Sequence, residues 1–284
     1  MSKVALVTDS TSYIPREIKE KYPITVVPQV IIWDGQTYED DVTMTPEQFY
    51  TRLRTAKTMP STSQVSVVRM HQAFSNLLEQ GYDVLGIFIS SKLSGTFQSA
   101  VQSREQLTSG KEKVDYVDSN TTAMAMGFMV LTVARAAADG ASLAECKALA
   151  EKAREHVGVY LTVDTLEFLH RGGRIGGAQR FLGTALNLKP VLAIEDGRIE
   201  PVERVRTRSK ALDRLVELVA EKCAGKSPVR MATLHADAEA EAKIMLDKIT
   251  PLVHPVESVL AAVSPAVGAH AGPGTVGLAW MAGM

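Results

Sequence analysis

Three short apolar runs constrain the fold of this chain more than any other feature. Val4 to Val7, Val84 to Ile89 and Val114 to Val117 each read as a strand buried on both faces. Each gives way at its carboxyl end to polar residues: Thr8-Asp9-Ser10-Thr11, Ser90-Ser91-Lys92-Leu93-Ser94-Gly95-Thr96, and Asp118-Ser119. Strands buried on both faces pair in parallel, and parallel pairs need helical crossovers. Helix signals stand between them. Thr45-Pro46-Glu47-Gln48 combines a capping residue, proline at the first helical position and Gln at the third. Ser142-Leu143-Ala144-Glu145 opens a helix with Leu143, Cys146, Leu149, Ala150 and Ala153 on one face. The apolar stretch from Ala123 to Ala134, interrupted by Thr132, reads as a buried core helix, too short to span a membrane. The first part of the chain is therefore expected to be an α/β domain, with ligands at the carboxyl ends of its strands.

The pattern changes after His156. Val159 to Val163 is strand-like, and a Gly/Arg-rich stretch from His170 to Gly177 follows it. Leu188 to Ile194 and Arg198 to Arg206 flank Asp196-Gly197, a strong hairpin signal. Leu212, Leu215, Val216 and Val219 mark an amphipathic helix, and Val229 to Leu234 and Val256 to Val263 add strands. Paired strands with fewer helices predict an α+β second domain, giving domains of 1–156 and 157–284.

Composition excludes several classes. With 31 Lys+Arg against 32 Asp+Glu, the formal net charge of -1 does not call for nucleic acid. Cys146 and Cys223 form no CxxC pair, the histidines show no ligand spacing, and no metal or cofactor site is expected. Cys146 lies on an apolar stripe and reads as packing. The N-terminal apolar run is too short for a signal sequence, so a cytoplasmic protein is expected. Gly272, Gly274 and Gly277 match G-x-G-x-x-G. With the sequence ending at Met284, though, no βαβ unit is expected to follow. Gly225-Lys226-Ser227 resembles the end of a phosphate-binding loop, but Ala220 stands where its first glycine belongs.

What remains is a set of hydroxyls with glycines and one imidazole: Ser61-Thr62-Ser63-Gln64, Ser90 to Thr96, and His270 beside Gly272-Pro273-Gly274. Such groups bind anions or polar head groups; they equally make turns and helix caps. Ser94, His270 and Asp9 also supply the inventory of a serine esterase triad, although no G-x-S-x-G elbow is present.

Taken in order, Thr8-Asp9-Ser10-Thr11, Thr62-Ser63-Gln64, Ser91 to Thr96, Asp118-Ser119, Arg171-Gly172-Gly173-Arg174-Ile175, Lys189-Pro190, Arg206-Thr207-Arg208 and His270-x-Gly272-Pro273-Gly274 resemble the DegV family across nearly the whole chain. The resemblance implies two domains: an N-terminal three-layer domain with a mostly parallel sheet and a C-terminal two-layer α+β domain, the ligand lying at their interface. It implies a non-enzymatic carrier of one long-chain, palmitate-sized fatty acid. Such a carrier presents the carboxylate to a separate ATP-dependent fatty acid kinase subunit, in phospholipid metabolism, and leaves room for peripheral membrane contact. Thr62, Ser94 with the Gly95 backbone, and His270 would hold the head group; Arg171, Arg174 and Arg206 would meet the kinase. The fold also resembles the substrate subunit of dihydroxyacetone kinases, which leaves covalent carbonyl capture by His270 as an alternative. Val65 stands where the family commonly has proline, and Ala123-Met124-Ala125-Met126-Gly127 where it usually has Ser-x-Gly-x-Gly.

Overall fold

The computed structural model describes residues 3–183 and 188–284. The first half runs β1 (Val4–Asp9), α1 (Arg16–Lys19), β2 (Ile24–Val27), β3 (Val30–Trp33), β4 (Gln36–Glu39), α2 (Pro46–Leu53), β5 (Ser61–Ser63), α3 (Val67–Glu79), β6 (Asp83–Phe88), α4 (Thr96–Glu105), β7 (Val114–Asp118), α5 (Ala123–Ala138) and α6 (Leu143–Ala153). The second runs β8 (Val157–Thr162), α7 (Glu167–Arg171), β9 (Lys189–Glu195), β10 (Arg198–Val205), α8 (Arg208–Cys223), β11 (Val229–His235), α9 (Glu239–Val253), β12 (Glu257–Ala262), α10 (Pro265–Ala271) and β13 (Val276–Ala282).

The three apolar runs become β1, β6 and β7 of a parallel sheet ordered β2-β1-β6-β7. Every residue of β1 is buried. Ala5, Val7 and Phe88 face Met70 and Phe74 of α3, with Ala100 of α4 in the same core. Leu6, Leu85 and Ile87 face the other way, toward α5. Helices on both faces make the three layers expected of this half.

The second sheet has six strands in the order β10-β9-β8-β13-β11-β12, antiparallel except for β11 beside β12. Leu215 and Val219 of α8 and Met245 and Ile249 of α9 cover one face, against Met231 and Leu278. Its other face joins the core around α5 through Val159, Ala279 and Met281. Helix α5 thus lies between the two sheets. Met124, Met126, Phe128 and Met129 are fully buried there, each such side chain contributing about 1.5–3 kcal/mol. That double burial is why its sequence is apolar all round.

Both capping boxes form as read, at Thr45 with Gln48 and at Ser142 with Glu145. Cys146 and Cys223 are buried free thiols, and burial pushes Cys223 up to about 11. A small antiparallel sheet, β4-β3-β5, was not foreseen, nor was β13 at the middle of the large sheet. No helix among the described residues is long and apolar enough to cross a membrane.

Candidate functional site

A cavity lies between the carboxyl edge of the parallel sheet and the inner face of the six-stranded sheet. Thr11 and Ile89, just beyond β1 and β6, reach it from one side; Val159, Leu161, Ile194 and Leu234 line it from the other. The space open to the centre of a water molecule is about 130 Å³. That is room for several water-sized groups, since one water fills a single sphere of about 10–15 Å³.

The cavity's polar end is built by three segments: β5, the entry to α4 and the end of α10. Thr62 sits on β5, held by pairing opposite the fully buried Ile31 of β3. Its Oγ1 lies 2.7 Å from Nε2 of His270, which is 208 residues away in sequence, in the last turn of α10. That helix is fixed at its start. Ala266 N–H donates to Asp40 Oδ1 at 2.9 Å, and Tyr50 donates to the Val263 carbonyl at 3.0 Å. Gly268 lets Tyr50 come close, since a Cβ there would lie 2.3 Å from the phenol oxygen.

Ser94 and Gly95 form the entry to α4. Thr96 is fully buried and donates its hydroxyl to Gln29 Oε1 at 3.1 Å. Its one proton is spent there, so the 3.0 Å contact between Ser94 and Thr96 has Ser94 as donor. A bound anion can draw that proton away from Thr96, exchanging a neutral hydrogen bond for a charge-assisted one. Gly95 packs against Gln64, whose side-chain amide would stand 2.8 Å from a Cβ at that position.

His270 is held neutral. Burial, with Arg174 nearby adding repulsion, brings it down to about 4. Its Nδ1 is buried without a hydrogen-bond partner, and Gly172 packs so tightly beneath it that a Cβ would lie 2.0 Å away. Orphaned buried N–H groups are rarer than under-satisfied acceptors. The proton is therefore assigned to Nε2, donating to Thr62, which leaves the Thr62 hydroxyl proton free to point into the cavity.

The three arginines differ. Arg174 lines the cavity; its Nε donates to the Leu93 carbonyl at 3.1 Å and its Nη1 to the Gly172 carbonyl at 2.7 Å. Arg171 is exposed and paired with Glu167 at 2.5 Å. Arg206 is exposed, between β10 and α8. Nearby, Arg208 binds Glu241 at 2.6 Å and the Gly274 carbonyl, bracing the loop that follows α10.

The esterase triad does not assemble. Asp9 is fully buried at the end of β1, accepting from Thr11 N–H and Oγ1 and from Ile89 N–H beyond β6. Burial raises its pKa against those bonds and one from Gln29. The partner of His270 is Thr62, and Ser94 is bonded to Thr96. Among the described residues, no acid orients the imidazole and no base holds the serine. Among the described residues, no group of three or more His, Cys, Asp or Glu is placed to hold a metal. Gln29, which backs Thr96, and Asp40, which anchors α10, carry no local signal in the sequence. Both roles arise from contacts between distant segments.

Residues 3–283 match the family model described as "Uncharacterised protein, DegV family". A DegV domain-containing protein of Streptomyces coelicolor is 36% identical over 277 residues, covering 97% of each chain. A solved structure of a DegV family protein from Thermus thermophilus, described by its fatty acid binding, is 34% identical, with a TM-score of 0.93 and 99% of each chain covered. Bacillus subtilis DegV, solved as a fatty acid binding protein, is 32% identical, with a TM-score of 0.90 over 99% of this chain and all of that one. The chain belongs to the DegV family.

Proposed function

We propose that this protein is a non-catalytic carrier that binds one long-chain fatty acid. The carboxylate is held by Thr62, Ser94, the Gly95 backbone and His270, and is presented to a separate ATP-dependent kinase subunit that forms the acyl phosphate. The observation that carries this reading is the 2.7 Å Thr62–His270 pair at the polar end of an otherwise mostly apolar cavity. Fatty acid binding by the Thermus and Bacillus relatives supports it. The reading keeps the two domains at 1–156 and 157–284, with the ligand between them.

The energetics are consistent with it. Each buried methylene gains about 0.8 kcal/mol, so a palmitate-sized chain offers on the order of 10 kcal/mol before ordering is subtracted. A methylene is about as large as a water, so the enclosed space takes several of the chain's carbons and the rest reaches the mouth or moves the walls. An unpaired buried carboxylate would cost several kcal/mol; the Thr62 and Ser94 hydroxyls and the Gly95 amide offset that, with His270 turning the Thr62 proton toward the carboxylate. Arg206 is exposed and fits a docking role, as does Arg171 once released from Glu167. Arg174 fits better as a wall of the site, bracing Leu93 and Gly172 around His270.

Purified protein extracted with solvent and examined by mass spectrometry is expected to yield one fatty acid per chain, or to take up added palmitate to that ratio. Ser94→Ala and His270→Ala are each expected to weaken retention. Absence of any bound or acquired fatty acid would overturn the carrier reading; unchanged affinity in both variants would overturn the head-group assignment.

A further inference from the structure

Gln64 lines the polar end of the cavity, just after Thr62 and Ser63, and is exposed. Tyr13, Gln29 and Thr122 line the cavity too, but their unpaired polar atoms have no surface from which to reach a ligand. Among the described residues, nothing hydrogen-bonds the Gln64 amide. Its position is nonetheless fixed. Val65 N–H donates to Thr96 Oγ1 at 3.3 Å, so the residues before them, Gln64 and Gly95, stand face to face. A Cβ on Gly95 would lie 2.8 Å from Cδ, 2.8 Å from Oε1 and 2.9 Å from Nε2 of Gln64. Three nearly equal distances mean that the amide lies flat over Gly95. Gly95 itself has φ -74 and ψ 1, a conformation open to residues with side chains. What its missing Cβ provides is room for this amide.

We infer that Gln64 is a further head-group contact, its amide N–H donating to the carboxylate oxygen that the Gly95 N–H also holds. The inference rests on the carrier reading and adds a residue to it. Backbone N and Cβ of one residue are about 2.5 Å apart, so Nε2 stands within about 5.4 Å of the Gly95 nitrogen. One oxygen accepting from both at about 2.9 Å each spans that gap. Turning the amide over exchanges Oε1 with Nε2 and leaves the stack unchanged, so the NH₂ edge can be turned to the anion. Gln64 is exposed where Thr62 and His270 are half-buried. The oxygen it holds is therefore the one on the solvent side, from which a kinase has to reach it.

The test uses palmitate labelled with carbon-13 at the carboxyl and two variants. Gln64→Met keeps the length without the donor; Gln64→Glu keeps the shape and replaces the donor by a charge. Because Gln64 is exposed, neither variant is expected to disturb folding. Palmitate affinity at pH 8, measured by displacement of a fluorescent fatty acid, is expected to fall about tenfold in Gln64→Met and further in Gln64→Glu. The bound carboxyl resonance, followed by NMR as pH is lowered, should titrate about one pH unit higher in Gln64→Met than in the wild type, since the lost bond stabilises only the ionised form. Wild-type affinity in both variants, or weaker affinity with an unmoved midpoint, would overturn the contact and leave the carrier reading standing. Failure of the wild type to take up palmitate would overturn the carrier reading, and the contact with it.

Discussion

Replacing Asp40 by asparagine should stabilise this protein at pH 8. Asp40 is 1% exposed. Its Oδ1 accepts from Ala266 N–H at 2.9 Å and its Oδ2 from the Ser10 hydroxyl at 2.6 Å. Those bonds favour the carboxylate, but burial works harder against it, and Asp41 adds repulsion, so the group moves from 3.8 up to about 6. At 1.36 kcal/mol per pH unit, holding the charge above pH 6 costs the fold about 3 kcal/mol. Between pH 3.8 and 6 the native chain binds a proton that the unfolded chain has released, so this group's contribution to stability falls as pH rises through that window. Asparagine has the same shape. Its amide oxygen can accept from Ala266, and its NH₂ can donate to Ser10 Oγ, which already accepts from Gln29 N–H at 3.0 Å. Ser10 must then turn its own proton away, a loss of about 1 kcal/mol. Asp40→Asn is therefore expected to gain about 2 kcal/mol at pH 8 and almost nothing near pH 4.5. Urea unfolding at the two pH values measures both differences. A variant less stable than the parent at pH 8, or a difference that does not change with pH, refutes the reasoning.

Other perturbations probe the site directly. Gly172→Ala places a methyl 2.0 Å from His270 Nδ1, so the ring must move off Thr62; palmitate affinity should drop by about tenfold or more, and a crystal structure of the variant should show the 2.7 Å contact broken. His270 should titrate near 4 in the ligand-free protein, followed by NMR of its ring protons. Because the unfolded chain takes up that proton first, this residue's contribution to stability should fall as pH drops from 6.5 toward 4; a midpoint above 6 would contradict the neutral imidazole. Tyr50→Phe removes the bond to Val263 O at the start of α10 and should cost about 1 kcal/mol in urea unfolding. Arg206→Ala is expected to leave fatty acid retention intact while slowing acyl phosphate formation with a cognate kinase; equal rates would discard its docking role.

The strands that could be read from sequence are those whose burial is written into consecutive residues. β1 and β6 are covered on both faces, so they appear as unbroken apolar runs, while the edge strand β7 keeps Asp115 between Val114 and Val117; the hydroxyls after β1 and β6 reach the site. β5 could not be read. Ser61-Thr62-Ser63 has no apolar face, and it is a strand only because β3 offers it an edge. The glycines at 272 and 274, which mimic a nucleotide motif, serve the backbone: both have positive φ, Gly272 closes α10, and Gly274 passes against Asp164. The Thr62–His270 pair joins segments 208 residues apart, a distance no local pattern bridges, which is why only the family resemblance could place them together. Arg174 shows the limit of that route. Grouped by resemblance with the docking arginines, it lies on the cavity wall.

The chemistry of the polar end bears on how a carrier can let go. An arginine facing the carboxylate bidentately would form a buried ion pair, and taking one partner away from such a pair costs about 3–5 kcal/mol. Here the cation nearest His270 is already bonded to two backbone carbonyls, and the imidazole is kept neutral by burial. On the proposed reading the carboxylate is then met by hydroxyl and N–H donors, each contributing about 1.5–3 kcal/mol against a charge. Such bonds can be exchanged one at a time. Ser94 can return its proton to Thr96, and Thr62 can keep its contact with His270. Affinity would come chiefly from the apolar chain, and the head group would stay weakly enough held to react. Replacing Thr62 by lysine should therefore tighten palmitate binding yet slow its phosphorylation, and a variant that speeds both would show that the neutral end is not what permits transfer.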